Sequence, residues 1–277
     1  MSPATTSEAP ERLPRDRGFA LLIVLWSLVL LSLMSAQILA SGRTAVTLAS
    51  NLRAAAQAQA AADGAIYAAI YHLSAEGSGQ WQADGSPHPF NIGGVSGSVR
   101  VTSLGGKINP NLASIALLTG FFQSLGSAPA QAGQLANAII AWRNPATTTS
   151  AAQALQADYK RAGMAFAPPG HGFADLSELA AVIGMKPNLL ASAMPHMSLF
   201  QAGDPDPSLT DPVVRRALQL SHQAGLDSSG YSGTSPVYLI SAEAGMTGAL
   251  DVHRQAAVSI SGAGGEPYRI VSLTTSY

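Results

Sequence analysis

Between Arg17 and Arg43 the chain carries no charged residue, and the run that opens Gly18-Phe19-Ala20-Leu21-Leu22-Ile23-Val24-Leu25-Trp26 stays largely apolar to Met34. About 20 consecutive apolar residues are what a helix needs to cross a hydrocarbon core. A helix apolar on every side has no polar face to turn to water. Residues 19–42 are therefore expected to form a transmembrane helix. Arg12, Arg15 and Arg17 precede it and a long chain follows, which predicts an N-terminus on the cytoplasmic side.

A cleaved secretory signal would have a shorter apolar region and a small-residue cut site, for which Leu33-Met34-Ser35-Ala36 is a weak match. A plain membrane anchor is the other ordinary reading. Gly18, set between the basic leader and the apolar run with Phe19 behind it, resembles instead the class III signal of type IV pilins and pseudopilins. That resemblance implies cleavage by a prepilin peptidase between Gly18 and Phe19, removal of residues 1–18, and N-methylation of Phe19. It also implies residence in a bacterial inner membrane as a single-pass protein with a periplasmic C-terminal domain. Most pilins carry Glu at the fifth mature position; here it is Ile23. A carboxylate inside an apolar helix is costly unless paired, and in the family it is thought to pair with the amino terminus of the subunit ahead. Ile23 therefore points to a subunit with no neighbour ahead of it.

Hydrophobic residues make up 47% of the 277 and charged residues 11%, with a formal net charge of -1. This is not the basic footprint that nucleic-acid phosphates select. With no cysteine in the chain, disulfides, thiolate nucleophiles and cysteine–zinc sites are excluded.

After Arg43 the helical pattern continues: Ala45, Leu48, Ala49, Leu52, Ala55, Ala56 and Ala60 fall at three- and four-residue steps, followed by Ile66, Ile70 and Leu73 before Gly77. A helix from Phe19 to Ser74 would be roughly 80 Å long, and its small residues at Ala36, Ala40, Ala45 and Ala49 suit close helix packing. Residues 77–98 are rich in Gly, Ser and Pro and read as a loop. Strands are expected at Gly97–Ser103, Val237–Ala242, Ala256–Ile260 and Tyr268–Leu273. Helical segments are expected at Leu112–Leu125, Ala132–Trp142, Ala151–Ala162, Leu176–Ile183 and Val213–His222. The expected fold is α+β and pilin-like: a long N-terminal helix, a small antiparallel sheet, and a large helical insertion between its strands. The segments are 19–42 in the membrane, 43–104 opening the pilin-like domain, 105–225 as the insertion and 226–277 completing the sheet.

Five stretches carry a closer resemblance. They are Arg17–Trp26, Gly106-Lys107-Ile108-Asn109-Pro110-Asn111, Ala138-Ile139-Ile140-Ala141-Trp142-Arg143, Phe173–Leu179 with Ile183-Gly184-Met185, and Glu266–Val271. In this order they are similar to the general secretion pathway protein K family, the large minor pseudopilins of type II secretion. The likeness implies a non-enzymatic tip subunit that initiates the pseudopilus and supports export of folded proteins. Its implied partners are the minor pseudopilins I and J, the major pseudopilin, the prepilin peptidase and the inner-membrane secretion platform. Ala141 stands where the family has an acid, and Leu104-Gly105-Gly106 and Asn144–Thr148 lack the acids found there. Some members bind calcium. The acidic candidates are Asp204, Asp206 and Asp211, whose Pro-Asp-Pro context also reads as a stiff turn.

Other chemistries are weaker. His171, Asp175, Glu178 and His196 invite a membrane-anchored hydrolase reading but lack His-Glu-x-x-His spacing, and Asp175 and Glu178 suit a helix start. No Gly-x-Ser-x-Gly elbow is present, and no Lys-Ser or Lys-Thr follows Gly262-Ala263-Gly264-Gly265. Ile108-Asn109 and Ala138-Ile139-Ile140 resemble helix-hairpin-helix sequences, which keeps a DNA-binding competence-type minor pilin as the alternative reading. The few basic residues there, Lys107, Arg143, Lys160, Arg161 and Lys186, argue against nucleic acid as a partner.

Overall fold

Alanines at three- and four-residue steps give a helix a face shallow enough to lie directly on a β-sheet. The computed structural model describes residues 17–223, 236–245, 251–261 and 267–276. In it, helix α1 runs Arg17–Ser74. Ala58, Ala61, Ala62, Ala65, Ile66, Ala69 and Ile70 are buried in one core with Val99, Val101, Ile240, Ala242, Val252, Ala256 and Val258.

The chain divides into two compact units, residues 1–56 and 57–277. The first is, as far as it is described, a stretch of α1 whose large apolar side chains from Leu21 to Met34 are at least 50% exposed. Among the described residues no helix is long and apolar enough to cross a membrane. The expected span 19–42 includes the side chains of Ala20 and residues 38–42, which lie outside the described residues, as do residues 1–16 of the expected leader 1–18.

The second unit holds one antiparallel sheet in the order β1-β2-β3-β4-β5. Its strands are β1 Asp84–Ile92, β2 Val95–Ser103, β3 Val237–Gly245, β4 Val252–Ile260 and β5 Tyr268–Ser276. The expected loop 77–98 is corrected here. It contains a 3₁₀ turn at Gly77–Gly79, all of β1, and the start of β2. Pro87 and Pro89 disguise β1, yet an edge strand tolerates proline where the missing N–H would face away from the ladder. Gly93 and Gly94, at φ 60° and 81°, supply the two left-handed residues that a tight hairpin turn requires.

Between β2 and β3, which pair directly, the described chain builds helices α2 Ile115–Ser124, α3 Pro129–Arg143, α4 Thr149–Arg161, α5 Pro187–Ala193 and α6 Pro212–Gln223. The α+β expectation, with helices inserted into an antiparallel sheet, holds. The helices enclose a core that includes Leu117, Phe121, Phe122, Ile139, Trp142, Tyr159, Leu179 and Val214. A side chain at Gly120 would stand 2.6 Å from the carbonyl of Ala217, so α2 and α6 pack backbone to backbone. Several boundaries differ from expectation: β4 begins at Val252 and not Ala256, and α3 at Pro129 and not Ala132. α2 begins after Ser114, whose hydroxyl accepts the Leu117 N–H, and not at Leu112. Leu176–Ala181 is a 3₁₀ turn capped by Asp175, where the sequence predicts a helix from Leu176 to Ile183.

Candidate functional site

The Gly-Lys-Ile-Asn-Pro-Asn stretch after β2 joins the sheet to the helical module. Ile108 forms a short parallel bridge with Met197, its N–H donating to the His196 carbonyl at 2.9 Å. Asn109, 4% exposed, donates Nδ2 hydrogens to the carbonyls of Leu199 at 3.0 Å and Gln201 at 2.6 Å. Its Oδ1 accepts the Asn111 N–H. Asn111 pairs both ways with the backbone of Phe173, donating to its carbonyl at 2.9 Å and accepting its N–H at 2.7 Å. The Pro110 carbonyl accepts from Arg143 Nη1 at 2.6 Å, and burial lowers the guanidinium's pKa. Lys107 Nζ donates to the Pro195 carbonyl. A side chain at Gly106 would lie 2.2 Å from the Leu209 carbonyl, which reserves that position for glycine. One motif thus ties down the segment at 195–201, the Phe173 segment and the end of α3.

The aromatic group behind it is as closely set. The Trp142 ring lies parallel to Phe173 with centroids 5.8 Å apart, and edge-on to Phe166 at 6.2 Å. The Tyr159 hydroxyl accepts the Ile183 N–H at 3.2 Å. Burial raises the Tyr159 pKa, and that hydrogen bond partly offsets the rise.

The hydrolase candidates are not brought together. Asp175 Oδ1 accepts the Ser177 N–H, and Glu178 Oε1 accepts the N–H groups of Ala174 and Asp175. The pair is a reciprocal cap of the 3₁₀ turn. Hydrogen bonds from the Ser177 hydroxyl and N–H lower the Asp175 pKa. His171 is exposed and bonded to its neighbour Gly172. His196 pairs with Asp211 at 2.7 Å. The cleft of about 310 Å³ between module and sheet, lined by Leu104, Leu176, Met197, Phe200, Leu239 and Gln255, has Asp175 as its one titratable lining residue.

The three aspartates singled out for calcium do not form a ligand set. Asp206 Oδ1 accepts the N–H and hydroxyl of Ser208. Asp211 Oδ1 caps α6 through the N–H groups of Val213 and Val214. Asp204 Oδ2 is buried without a partner; burial raises its pKa, with His222 opposing weakly. Among the described residues no group of three His, Cys, Asp or Glu could hold a metal. Sequence reasoning missed the capping role of Asp211, for which the Asp-Pro step ahead of Val213 was the available signal. Of the processing-site residues, Gly18 and Phe19 lie in the first turn of α1.

Residues 90–202 match the model of the type II secretion system protein K family. No curated protein matches. The fold is similar to a chain in the crystal structure of the GspK-GspI-GspJ complex from the type 2 secretion system of enterotoxigenic Escherichia coli. The TM-score is 0.57 at 13% identity, covering 85% of this chain and 99% of that one. At that identity the likeness speaks for the fold alone, while the family match falls on the Gly106–Asn111 motif and the helices that it anchors. Over residues 90–202 the chain is similar to the type II secretion system protein K family.

Proposed function

We propose that this minor pseudopilin of type II secretion is the tip subunit that starts pseudopilus assembly and so supports export of folded proteins across the outer membrane. The observation that carries the reading is the helical module inserted between the adjacent strands β2 and β3, with a core of its own. A subunit with such an addition would block another stacked above it, so it belongs at an end. Ile23 agrees, since a first subunit needs no carboxylate to pair with a neighbour ahead. The exposed apolar surface of α1 from Leu21 to Met34 supports an inner-membrane anchor before extraction into the filament, with the C-terminal domain in the periplasm. Gly18-Phe19 would be the prepilin peptidase site and Phe19 the methylated N-terminus. The minor pseudopilins I and J are the expected partners, by analogy with the complex whose fold this chain shares.

The test is to co-express the full chain with the I and J pseudopilins of the same system and isolate it from membranes. A ternary complex with N-methyl-Phe19 at its mature terminus, lost when Gly18 is changed to Val, is the expected result. Absence of the complex overturns the partner assignment, and an intact Met1 or a cut near Ala36 overturns the processing assignment.

A further inference from the structure

Three rings form an uninterrupted stack where the end of α1 meets the first hairpin. His72 lies against Trp81 with centroids 4.4 Å apart, and Trp81 against His88 at 3.8 Å, both pairs within 5° of parallel. His72 is in the last turn of α1 and His88 is in β1. The connection is closed by backbone as well: the Trp81 N–H donates to the His72 carbonyl at 3.2 Å. Both faces of the indole are covered, so it offers no open face for a sugar or an apolar ligand.

We propose that this His72–Trp81–His88 stack is a proton-operated clasp that holds the β1–β2 hairpin to α1 more tightly in mild acid than at neutral pH. A cationic ring lying flat on an indole face is attracted by the negative charge of the π-cloud, and histidine is the side chain that acquires that charge near neutrality. The α1 terminus favours a cation at His72 because its last carbonyls carry partial negative charge. His72 Nδ1 lies 2.9 Å from the Gly79 carbonyl, which can only accept. Nδ1 therefore keeps its hydrogen in the neutral ring, the added proton goes to Nε2, and the bond to Gly79 survives.

The two histidines share one indole, so their charges are coupled. A charge on one ring repels a charge on the other across the indole between them. Other charged or titratable groups close by in the chain or across the hairpin are Tyr71, Glu76, Asp84 and Arg100. Tyr71 meets His72 edge-on at 5.5 Å. The N–H and hydroxyl of Ser86 hold the Asp84 carboxyl below its usual range, with His88 adding slightly. Arg100 lies across from Pro87 in β2 and donates to the Gly85 carbonyl. Because the folded clasp favours the charged rings, its added stability is present in acid and is lost as pH rises.

The test uses the full chain in detergent micelles, reading Trp81 emission as the difference between the wild type and Trp81→Phe, so that Trp26 and Trp142 stay in place. A protonated imidazole in contact quenches indole, so the emission should fall as pH is lowered from about 8 to about 5. His72→Gln and His88→Gln should each reduce that change, and the double variant should abolish it. In parallel, the difference in unfolding temperature between wild type and double variant should grow as pH falls. Emission independent of pH, or a stability difference that does not grow in acid, overturns the proposal.

Discussion

Arg254 on β4 donates its Nε–H to Oδ1 of Asp63 on α1 at 2.6 Å, and its Nη1 reaches the Thr275 hydroxyl on β5. One side chain, 11% exposed, thus joins the long helix to the last two strands. Removing one partner of a buried pair leaves the other desolvated and unpaired. Because the Asp63 side chain is 33% exposed, water takes up part of that loss. Arg254→Ala is expected to cost about 1–3 kcal/mol in urea unfolding, and Asp63→Asn less, since its oxygen can still accept.

Asn109 presents N–H groups to two carbonyls of one segment, 90 and 92 residues further along the chain. Asn109→Asp turns those donors into an anion facing the Leu199 and Gln201 carbonyls and should prevent stable folding of the module. Asn109→Ala keeps the volume small but strands both acceptors, and should lower stability by about 2–4 kcal/mol. Thermal unfolding followed by near-UV circular dichroism measures both.

Acid should act oppositely on two neighbouring carboxylates. Burial pushes the Asp211 carboxyl up, but the hydrogen bond from His196 and the N–H of Val214 outweigh it and hold the folded value below the ordinary one. Asp211 therefore stabilises the fold at pH above about 3.9, and that contribution disappears as pH falls through its folded value. Asp204 has the reverse sign: its folded value is raised, so its charge opposes folding once pH exceeds the ordinary carboxylate range. Asp204→Asn should raise the unfolding temperature at neutral pH and change nothing in strong acid. Asp211→Asn should lower it at neutral pH and converge with the wild type in acid.

Trp142 is 6% exposed and its Nε1 hydrogen has no partner. Trp142→Ala should cost about 3–5 kcal/mol through the cavity it opens among Tyr159, Phe166 and Phe173. Trp142→Phe forfeits no hydrogen bond and keeps the stack on Phe173, so its cost should be well under half of that. Chemical denaturation of the two variants side by side settles the comparison.

Period and punctuation made much of the architecture legible in the sequence. The helical period of α1 was legible but not its packing face: of the residues that marked it only Ile66, Ile70 and Leu73 are buried, and the face on the sheet runs through Ala58, Ala61, Ala62, Ala65 and Ala69. The last three strands alternate as strands do. β1 was hidden because Gly85, Pro87 and Pro89 look like a turn, and only its place at the edge of the sheet makes them acceptable. The seven residues of α5 are too few to show a helical period. The Asn109 and Asn111 motif could be seen as a motif, but its partners lie 62 to 92 residues away, beyond the reach of local pattern. The same holds for Arg254 and Asp63, 191 residues apart.

The placement of the helical module also governs the order in which this domain can fold. Ser103 and Tyr238 are direct partners across β2 and β3, and the Leu104 N–H closes on the Val237 carbonyl at 2.8 Å. Bringing those residues together from an open chain means closing a very long loop, with its entropy charged before any ladder bond forms. If the helices collapse first on Phe121, Phe122 and Ile139, their own ends come near each other, and the remaining search is that of a short connection. The module then serves as the template on which the two halves of the sheet find their register, and mutations in its core should slow formation of the sheet as well as weaken the helices.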